Sequence, residues 1–130
     1  MPERPLSGAP DSPPPSPARV PFWHRGRIVV VDESMRPTLR PGDRLLLDRS
    51  AYRRAGPRVG DVVVLVDPER PARWLVKRVA AVDPAARTAV VLGDAADVAR
   101  DSRRFGPVPF RLLVGRAYRL YFPPGRARDL

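Results

Sequence analysis

The apolar residues of this chain fall into short runs that either alternate with polar residues or consist of consecutive β-branched residues. Runs of this kind, bounded by Pro, Gly and Asp, are typical of β-strands. No apolar stripe with the helical period of about 3.6 residues continues for more than a few turns. The pattern therefore predicts six strands, at residues 27–32, 43–49, 60–66, 73–82, 88–92 and 110–121.

Turn signals and two long connections organise these strands into one domain. Pro41-Gly42 and the segment DPAAR at 83–87 predict tight turns, whereas residues 33–42 and 93–109 predict irregular connections. The 18 prolines of the chain argue against long helices. We therefore predict an all-β fold, a small, curled, antiparallel domain with a barrel-like shape.

The two ends of the chain are expected to lie outside this domain. Residues 1–24 are dense in Pro, Ser and Gly and have little apolar surface to bury, which predicts a disordered tail. Residues 25–122 then form the folded domain, and residues 123–130 form a flexible C-terminal tail. A chain of 130 residues is long enough for one modest core of this kind.

The net charge of +10 limits the choice of partners. In residues 1–24, Arg4 and Arg19 balance Glu3 and Asp11, so the excess positive charge belongs to the folded part. Basic domains can bind nucleic acid, but the arginines here are scattered along the chain. We expect a solvated basic surface and no nucleic-acid partner; the alternative is a non-catalytic basic β-module that binds nucleic acid.

Residue types that serve many active sites are scarce. The absence of cysteine excludes disulfides, thiolate catalysis and cysteine metal sites. His24 is the one histidine and adjoins the predicted tail, so neither a Ser-His-Asp triad nor a histidine metal cluster is expected. The sequence therefore predicts no metal and no cofactor.

The chain also lacks membrane signals. No apolar run approaches the roughly 20 residues that a transmembrane helix needs, and the N-terminus lacks the features of a signal peptide. We therefore expect no transmembrane anchor and a soluble, cytoplasmic protein. Peripheral membrane contact through Pro21-Phe22-Trp23 is a further option, although packing against the domain edge is the simpler role.

Lys77 is the only lysine among 24 cationic residues. On a strand it shares one face with Leu75, Val79 and Ala81, where it is the one polar member of an apolar row. Burial disfavours the charged amine, and lysine can lose its proton while arginine effectively cannot. Lys77 is therefore a candidate general base. Two plainer interpretations are a lysine that reaches water from the strand edge and a residue left over from codon bias.

A general base needs a nucleophile, and Ser34 is the best placed serine outside the tail. It lies in DESMRPTLRPGD, directly after the first predicted strand and before the Pro41-Gly42 turn. Ser50 and Ser102 lie in ordinary turn or loop contexts. A serine in such a position also commonly serves as a turn or helix-cap residue.

Four segments, in order, resemble the conserved boxes of the type I signal peptidase family, whose members use a Ser-Lys pair. SMRPTLRPGD resembles the nucleophile motif, and GDVVV at 60–64 resembles the third box. VKRVAAV at 76–82 is similar to the box with the general-base lysine, and LGDAADVARDSRRFGPV at 92–108 is similar to the last box. The resemblance implies the small β-core that signal peptidases share with self-cleaving repressor proteases.

The resemblance also implies roles for individual residues. Ser34 matches the nucleophile, and Lys77 matches the general base. The positions that match site-shaping or structural residues are Met35, Pro37, Gly42, Asp43, Gly93, Asp94, and the pair Asp101 and Arg103.

Three positions depart from the family pattern. Ala95 replaces an Asn, and Ala99 replaces a serine that often orients the lysine. Asp32 stands where some members carry a hydroxyl that stabilises the oxyanion, and a carboxylate would oppose that charge. We expect Asp32 to point away, which leaves the Ser34 backbone N–H as the oxyanion donor.

Within the family the chain looks most like the nickel-type superoxide dismutase maturation proteases. The resemblance implies a serine endopeptidase that removes an N-terminal leader peptide from a precursor, here nickel superoxide dismutase. A signal peptidase I-like enzyme that acts on exported proteins is the nearest alternative. A self-cleaving repressor and an inactive scaffold with this fold are further alternatives.

Overall fold

The computed structural model describes residues 24–130, so predictions for residues 1–23 lie outside the described part. The strands are β1 (Arg25–Val29), β2 (Arg44–Asp48), β3 (Val62–Val66), β4 (Trp74–Asp83), β5 (Thr88–Leu92), β6 (Val108–Pro109), β7 (Leu113–Phe122) and β8 (Arg128–Asp129). A short helix, α1 (Ser102–Phe105), precedes β6, and 3₁₀ turns occupy Phe110–Leu112 and Pro124–Arg126.

The strands form one antiparallel sheet that curls on itself. Its order is β1-β2-β7-β3-β4-β5-β6, and β8 pairs with Arg119 and Leu120 of β7. β3 pairs with β7 on one side and β4 on the other, which makes it an interior strand. The prediction of a curled, antiparallel all-β fold is confirmed.

The apolar run VVVLV of strand β3 is buried on both faces of the strand. Val62 belongs to one core cluster, together with Leu45 and Leu120, whereas Val63 and Leu65 belong to a second cluster. Apolar residues are therefore needed at successive positions of β3, because both faces of the strand are covered. At β2 and β5, where one face is more open, burial alternates along the strand.

The strand β4 departs from strict alternation at its centre. Leu75, Lys77 and Val79 are buried on one face, as predicted. The register with β5 then shifts between Val79 and Ala81, and Ala81 is exposed while Val82 packs against the core. The predicted placement of Ala81 on the lysine face is therefore wrong, because one extra residue reverses which side chains point inward.

Residues 123–130, which the sequence predicts as a C-terminal tail, contact the sheet. β8 pairs with β7, and the Leu130 N–H donates to the Tyr118 carbonyl oxygen at 3.0 Å. Arg126 donates to the buried carboxylate of Asp43 at 2.6 Å. Burial would raise the pKa of Asp43, but the hydrogen bonds from Arg126 and the Arg40 amide lower it overall. This ion pair connects the C-terminal segment to the turn that precedes β2.

Arg126→Ala should destabilise the protein by about 1–3 kcal/mol, because it leaves a buried carboxylate without its charged partner. Urea unfolding monitored by circular dichroism would measure the loss. Arg119→Ala is the matched control, since Arg119 pairs with Asp129 at the surface and exposed pairs contribute only about 0–1 kcal/mol. Equal stability of the two variants would contradict a structural role for the buried pair.

Candidate active site

The fold brings Ser34 and Lys77 together although 43 positions separate them in the chain. Ser34 lies in the connection between β1 and β2, and Lys77 lies in the middle of β4. The Lys77 Nζ is 2.9 Å from the Ser34 Oγ, within hydrogen-bonding distance. Ser34 is 6% exposed and Lys77 is 2% exposed. A hydroxyl and an amine are thus in direct contact in a nearly closed environment.

Burial governs the charge of Lys77. Desolvation lowers the pKa of Lys77, and the nearby carboxylates of Asp32 and Asp101 oppose this effect only in part. Among the described residues no salt bridge holds the amine in its charged form. The alternative in which Lys77 reaches out to water does not agree with its burial. The arrangement can supply a neutral amine next to a hydroxyl.

The connection that carries Ser34 is anchored on both sides of the serine. Met35 is buried in the core beside Leu45 and accepts the Leu39 N–H through its carbonyl oxygen at 2.9 Å. Pro37 lies farther along the same connection and is exposed. Met35 therefore anchors the connection in the core, and Pro37 lies on its exposed side.

The turn at Pro41-Gly42 closes this connection. Gly42 has a φ of +93°, a conformation that residues with a Cβ rarely adopt. The Gly42 N–H donates to the Val30 carbonyl oxygen, and the Asp43 carboxylate accepts the Arg40 N–H at 2.8 Å. Gly42 and Asp43 therefore act through the backbone of the loop, at a distance from the Ser34 side chain.

The connection after β5 closes against the Ser34 backbone. The Ala95 N–H donates to the Ser34 carbonyl oxygen at 2.9 Å. A Cβ on Gly93 would lie 2.6 Å from that same oxygen and 2.4 Å from the Ala99 Cβ. Glycine is thus required at 93 because two backbone segments touch there.

Asp94 joins this second connection to the connection that carries Ser34 and to strand β4. Its carboxylate accepts a hydrogen bond from the Thr38 hydroxyl at 2.6 Å and two from the Arg78 guanidinium at 3.0 Å each. Burial would raise the pKa of Asp94, but these bonds lower it overall. Thr38 and Arg78 were missed from sequence. Alternation places Arg78 on the face opposite Lys77 but gives no sign of its partner.

Asp101 and Arg103 form the predicted ion pair. Asp101 is fully buried, accepts the Gly93 N–H at 2.8 Å and pairs with the Arg103 guanidinium at 2.5 Å. The same carboxylate accepts the Arg103 N–H and so caps α1. The pair therefore holds Gly93 in place from behind, and its effect on Ser34 is indirect.

The three departures from the family pattern have different outcomes. Ala95 donates its backbone N–H to the Ser34 carbonyl oxygen. Ala99 places its methyl group near Gly93 and donates its N–H to the Ala95 carbonyl oxygen. Asp32 does not point away from the site. Its Oδ1 accepts the Ser34 N–H at 3.0 Å, so the expected oxyanion donor already has an acceptor.

Two grooves meet at Ser34. One, of about 370 Å³, runs between residues 27–32 and residues 74–76. The other, of about 310 Å³, passes Lys77 and Arg100. Residues 74–77 pair with β3 on one side, whereas pairing with β5 begins at Arg78. Within the described chain, the first groove therefore lies along a strand edge that has no partner.

The described residues contain no group of three or more His, Asp or Glu side chains that could hold a metal ion. The chemistry available at this site is that of a hydroxyl, an amine and their neighbouring carboxylates.

Comparison with known proteins finds a signal peptidase family model and several inner membrane protease subunits that are similar to this chain. The family model described as "Signal peptidase, peptidase S26" matches residues 22–86. The mitochondrial inner membrane protease subunit 2 of Mus musculus is 32% identical over 136 residues, covering 88% of this chain and 78% of the mouse protein. The mitochondrial ATP-independent inner membrane protease subunit 1b of Arabidopsis thaliana is 40% identical over 104 residues, covering 64% of this chain. The chain spans 62% of that plant relative.

These relatives correct one expectation. The cytoplasmic location predicted from sequence is wrong, because the similar proteins are proteases of an inner membrane. The lack of long apolar runs did not predict the location correctly, because a protease can contact a membrane without a transmembrane helix. Between residues 24 and 130, no helix has the length and apolar character to cross a membrane.

Gly93→Ala should reduce stability by about 1–3 kcal/mol and displace the Ser34 backbone, because the added methyl group would overlap two neighbours. Thermal unfolding would detect the first effect, and the amide spectrum of Ser34 would detect the second. Gly125→Ala is the control, because nothing lies within 4 Å of a Cβ added there. A Gly93→Ala protein as stable as the control would show that the close contact is not a constraint.

Proposed function

Because the chain belongs to the signal peptidase family, peptidase S26, we propose that it is a serine endopeptidase that removes an N-terminal leader peptide from a precursor protein. Ser34 is the nucleophile, and Lys77 is the general base. The observation that carries this proposal is the 2.9 Å contact between the Lys77 Nζ and the Ser34 Oγ in a buried setting that favours the neutral amine.

The proposed reaction has two halves. The neutral Lys77 amine takes the proton of the Ser34 hydroxyl, and the Oγ forms a bond to the carbonyl carbon of the scissile peptide. The resulting ammonium gives that proton to the leaving amine as the C–N bond breaks, which releases the mature protein. Lys77 then takes a proton from water, and the water oxygen bonds to the ester carbonyl carbon. The C–Oγ bond breaks, the ammonium returns the proton to the Ser34 Oγ, and the leader peptide is released as a carboxylic acid.

The strand edge at residues 74–77 suits an extended substrate. A peptide laid in the groove between residues 27–32 and 74–76 would gain main-chain hydrogen bonds like those of an added strand. Ser34 lies at the end of that groove, so the scissile carbonyl would reach the Oγ without a change in the sheet. Main-chain recognition positions the peptide, and the apolar side chains of the groove favour small or apolar residues before the cut.

A membrane is the proposed place of action. The relatives support this, since they are subunits of mitochondrial inner membrane proteases. Exposed apolar side chains flank the groove as well: Val31 is 73% exposed and Trp74 is 45% exposed. Apolar side chains of this kind next to arginines favour contact with an anionic lipid surface. The groove would then open toward precursors that emerge from the bilayer.

The identity of the precursor is a separate proposal. Precursors with an exported or membrane-bound leader suit the relatives best. The narrower candidate, which the motif pattern implies, is the precursor of nickel superoxide dismutase. Unlike a membrane-bound precursor, it would carry its leader peptide in solution.

Lys77→Arg and Ser34→Ala should each lower kcat/KM for a leader-containing peptide by a factor of roughly 10²–10⁴ or more. Arginine keeps the charge but cannot act as a base at accessible pH. In the wild type, kcat/KM should rise with pH as Lys77 loses its proton, at a pH below the ordinary range for lysine because burial lowers the pKa of Lys77. Product masses measured over a pH series would check both effects.

Arg70→Lys is a suitable control, because it exchanges one cation for another in the exposed turn before β4. It should cleave like the wild type. Circular dichroism would establish that the Lys77→Arg protein is folded. Cleavage by that folded variant at the wild-type rate would refute the general-base role.

Two precursors would separate the substrate proposals. A precursor with its leader inserted in vesicles that contain anionic lipid should be processed faster than the same precursor in solution, because the bilayer and the protein would share a surface. N-terminal sequencing of the products would locate the cut. Efficient processing of a nickel superoxide dismutase precursor without vesicles, and none of the inserted precursor, would instead favour the narrower candidate.

A further inference from the structure

Asp32 occupies an unusual position for a carboxylate. It lies two residues before Ser34, is exposed, and its side chain lines both grooves that meet at the serine. Its Oδ1 accepts the backbone N–H of Ser34 at 3.0 Å. Ser34 itself is buried. An exposed carboxylate therefore caps the backbone donor of the residue that would attack the substrate.

That donor matters for the proposed reaction. When the Ser34 Oγ attacks a carbonyl, the carbonyl oxygen becomes an anion next to the Ser34 backbone, and N–H groups aimed at such an oxygen stabilise the transition state. A carboxylate bound to the same N–H occupies the place of the oxyanion and repels it. The site cannot stabilise the oxyanion through this donor until Asp32 moves.

The same carboxylate acts on Lys77. Burial lowers the pKa of Lys77, and Asp32 and Asp101 raise it, whereas Arg100 and Arg103 lower it. Asp101 is fully buried and bonded to Gly93 and Arg103, so it is fixed. Asp32 is the exposed member of this set of acids. Its presence favours the ammonium form of Lys77, which cannot take a proton from the serine.

The two cationic neighbours of Lys77 are also fixed. Arg100 pairs with Asp67 and Glu69, and Arg103 pairs with Asp101. Their carboxylate partners come from the β3–β4 turn and from the last connection, so neither guanidinium is free to follow Asp32. A displacement of Asp32 would therefore change the field at Lys77 without a compensating movement of these groups.

We propose that Asp32 is a latch residue: in the substrate-free enzyme its carboxylate occupies the Ser34 N–H, and a bound peptide displaces it with the scissile carbonyl oxygen. This inference rests on the proposed peptidase function. Displacement frees the donor and moves a negative charge away from Lys77 in a single event. The enzyme is thereby kept in a poorly reactive form until the groove is filled.

A simpler role makes the opposite prediction. An Asp that accepts the N–H two residues later is a common turn element that fixes a loop. If that were its whole contribution, removing the side chain would loosen Ser34 and slow the reaction. Asp32→Asn would preserve the acceptor and leave the rate unchanged. The latch predicts a gain of activity in both variants.

The test combines cleavage kinetics with a probe of Lys77. Because the chain has only one lysine, lysine labelled with ¹³C at Cε gives one NMR signal whose pH titration reports the pKa of Lys77 directly. Asp32→Asn and Asp32→Gly should both titrate at lower pH than the wild type. Asp32→Gly should raise kcat/KM about tenfold, a smaller change than the roughly 10²–10³-fold loss caused by removing a whole oxyanion donor.

Asp97→Asn is the control, because it removes one negative charge from an exposed carboxylate that lines neither groove and lies 3.6 Å from the Arg36 guanidinium. It should leave the titration of Lys77 and the rate close to wild type. An unchanged Lys77 titration in Asp32→Asn, or slower cleavage by Asp32→Gly, would overturn the latch. Absence of Ser34-dependent cleavage in every variant would overturn the proposed function itself, whichever way the lysine titrates.

Discussion

Burying an amine beside a serine hydroxyl is expensive for a small protein, because desolvation penalises the charged form and few groups are available to compensate. The rest of the site can be understood as a response to this constraint. Lys77 lies in the interior of the sheet, where β3 covers one of its edges and the Ser34 connection covers its side chain. The cost becomes smaller when the amine gives up its proton, which is also the state that a general base requires.

The two connections that surround the pair are held by carboxylates paired with arginine. Asp43 pairs with Arg126, Asp94 with Arg78, and Asp101 with Arg103. Each of these acids also accepts a backbone or hydroxyl hydrogen bond from a neighbouring segment. Arginine suits this purpose because its planar guanidinium binds a carboxylate through two parallel hydrogen bonds. Three of the 24 cationic residues therefore serve to hold the connections around the site, while the net charge of +10 remains with the others.

The sequence predicted the parts of the molecule that depend on local pattern. Strand alternation placed Lys77 on a buried face, and the family motif identified Ser34 as its partner. Alternation failed at Ala81, because a bulge depends on pairing with β5 and leaves no local trace. The hydrogen bond of Asp32 was also missed. The prediction rested on repulsion between this carboxylate and an oxyanion of the substrate, whereas in the substrate-free loop the carboxylate accepts the Ser34 N–H. Thr38 and Arg78 were missed because their shared partner, Asp94, lies in a distant connection.

Between residues 24 and 130 no strand pairs with the outer edge of β4 at residues 74–77, and this has a consequence for the timing of processing. A polypeptide can complete a sheet only while its own backbone donors and acceptors are uncommitted. In the proposed function, a precursor whose cleavage region has already formed helix or sheet presents no free edge to residues 74–77 and is passed over. The enzyme would thus select a precursor first by the conformation of its cleavage region and then by the side chains of that region. Maturation would be restricted to the interval in which the region around the cut is still unfolded.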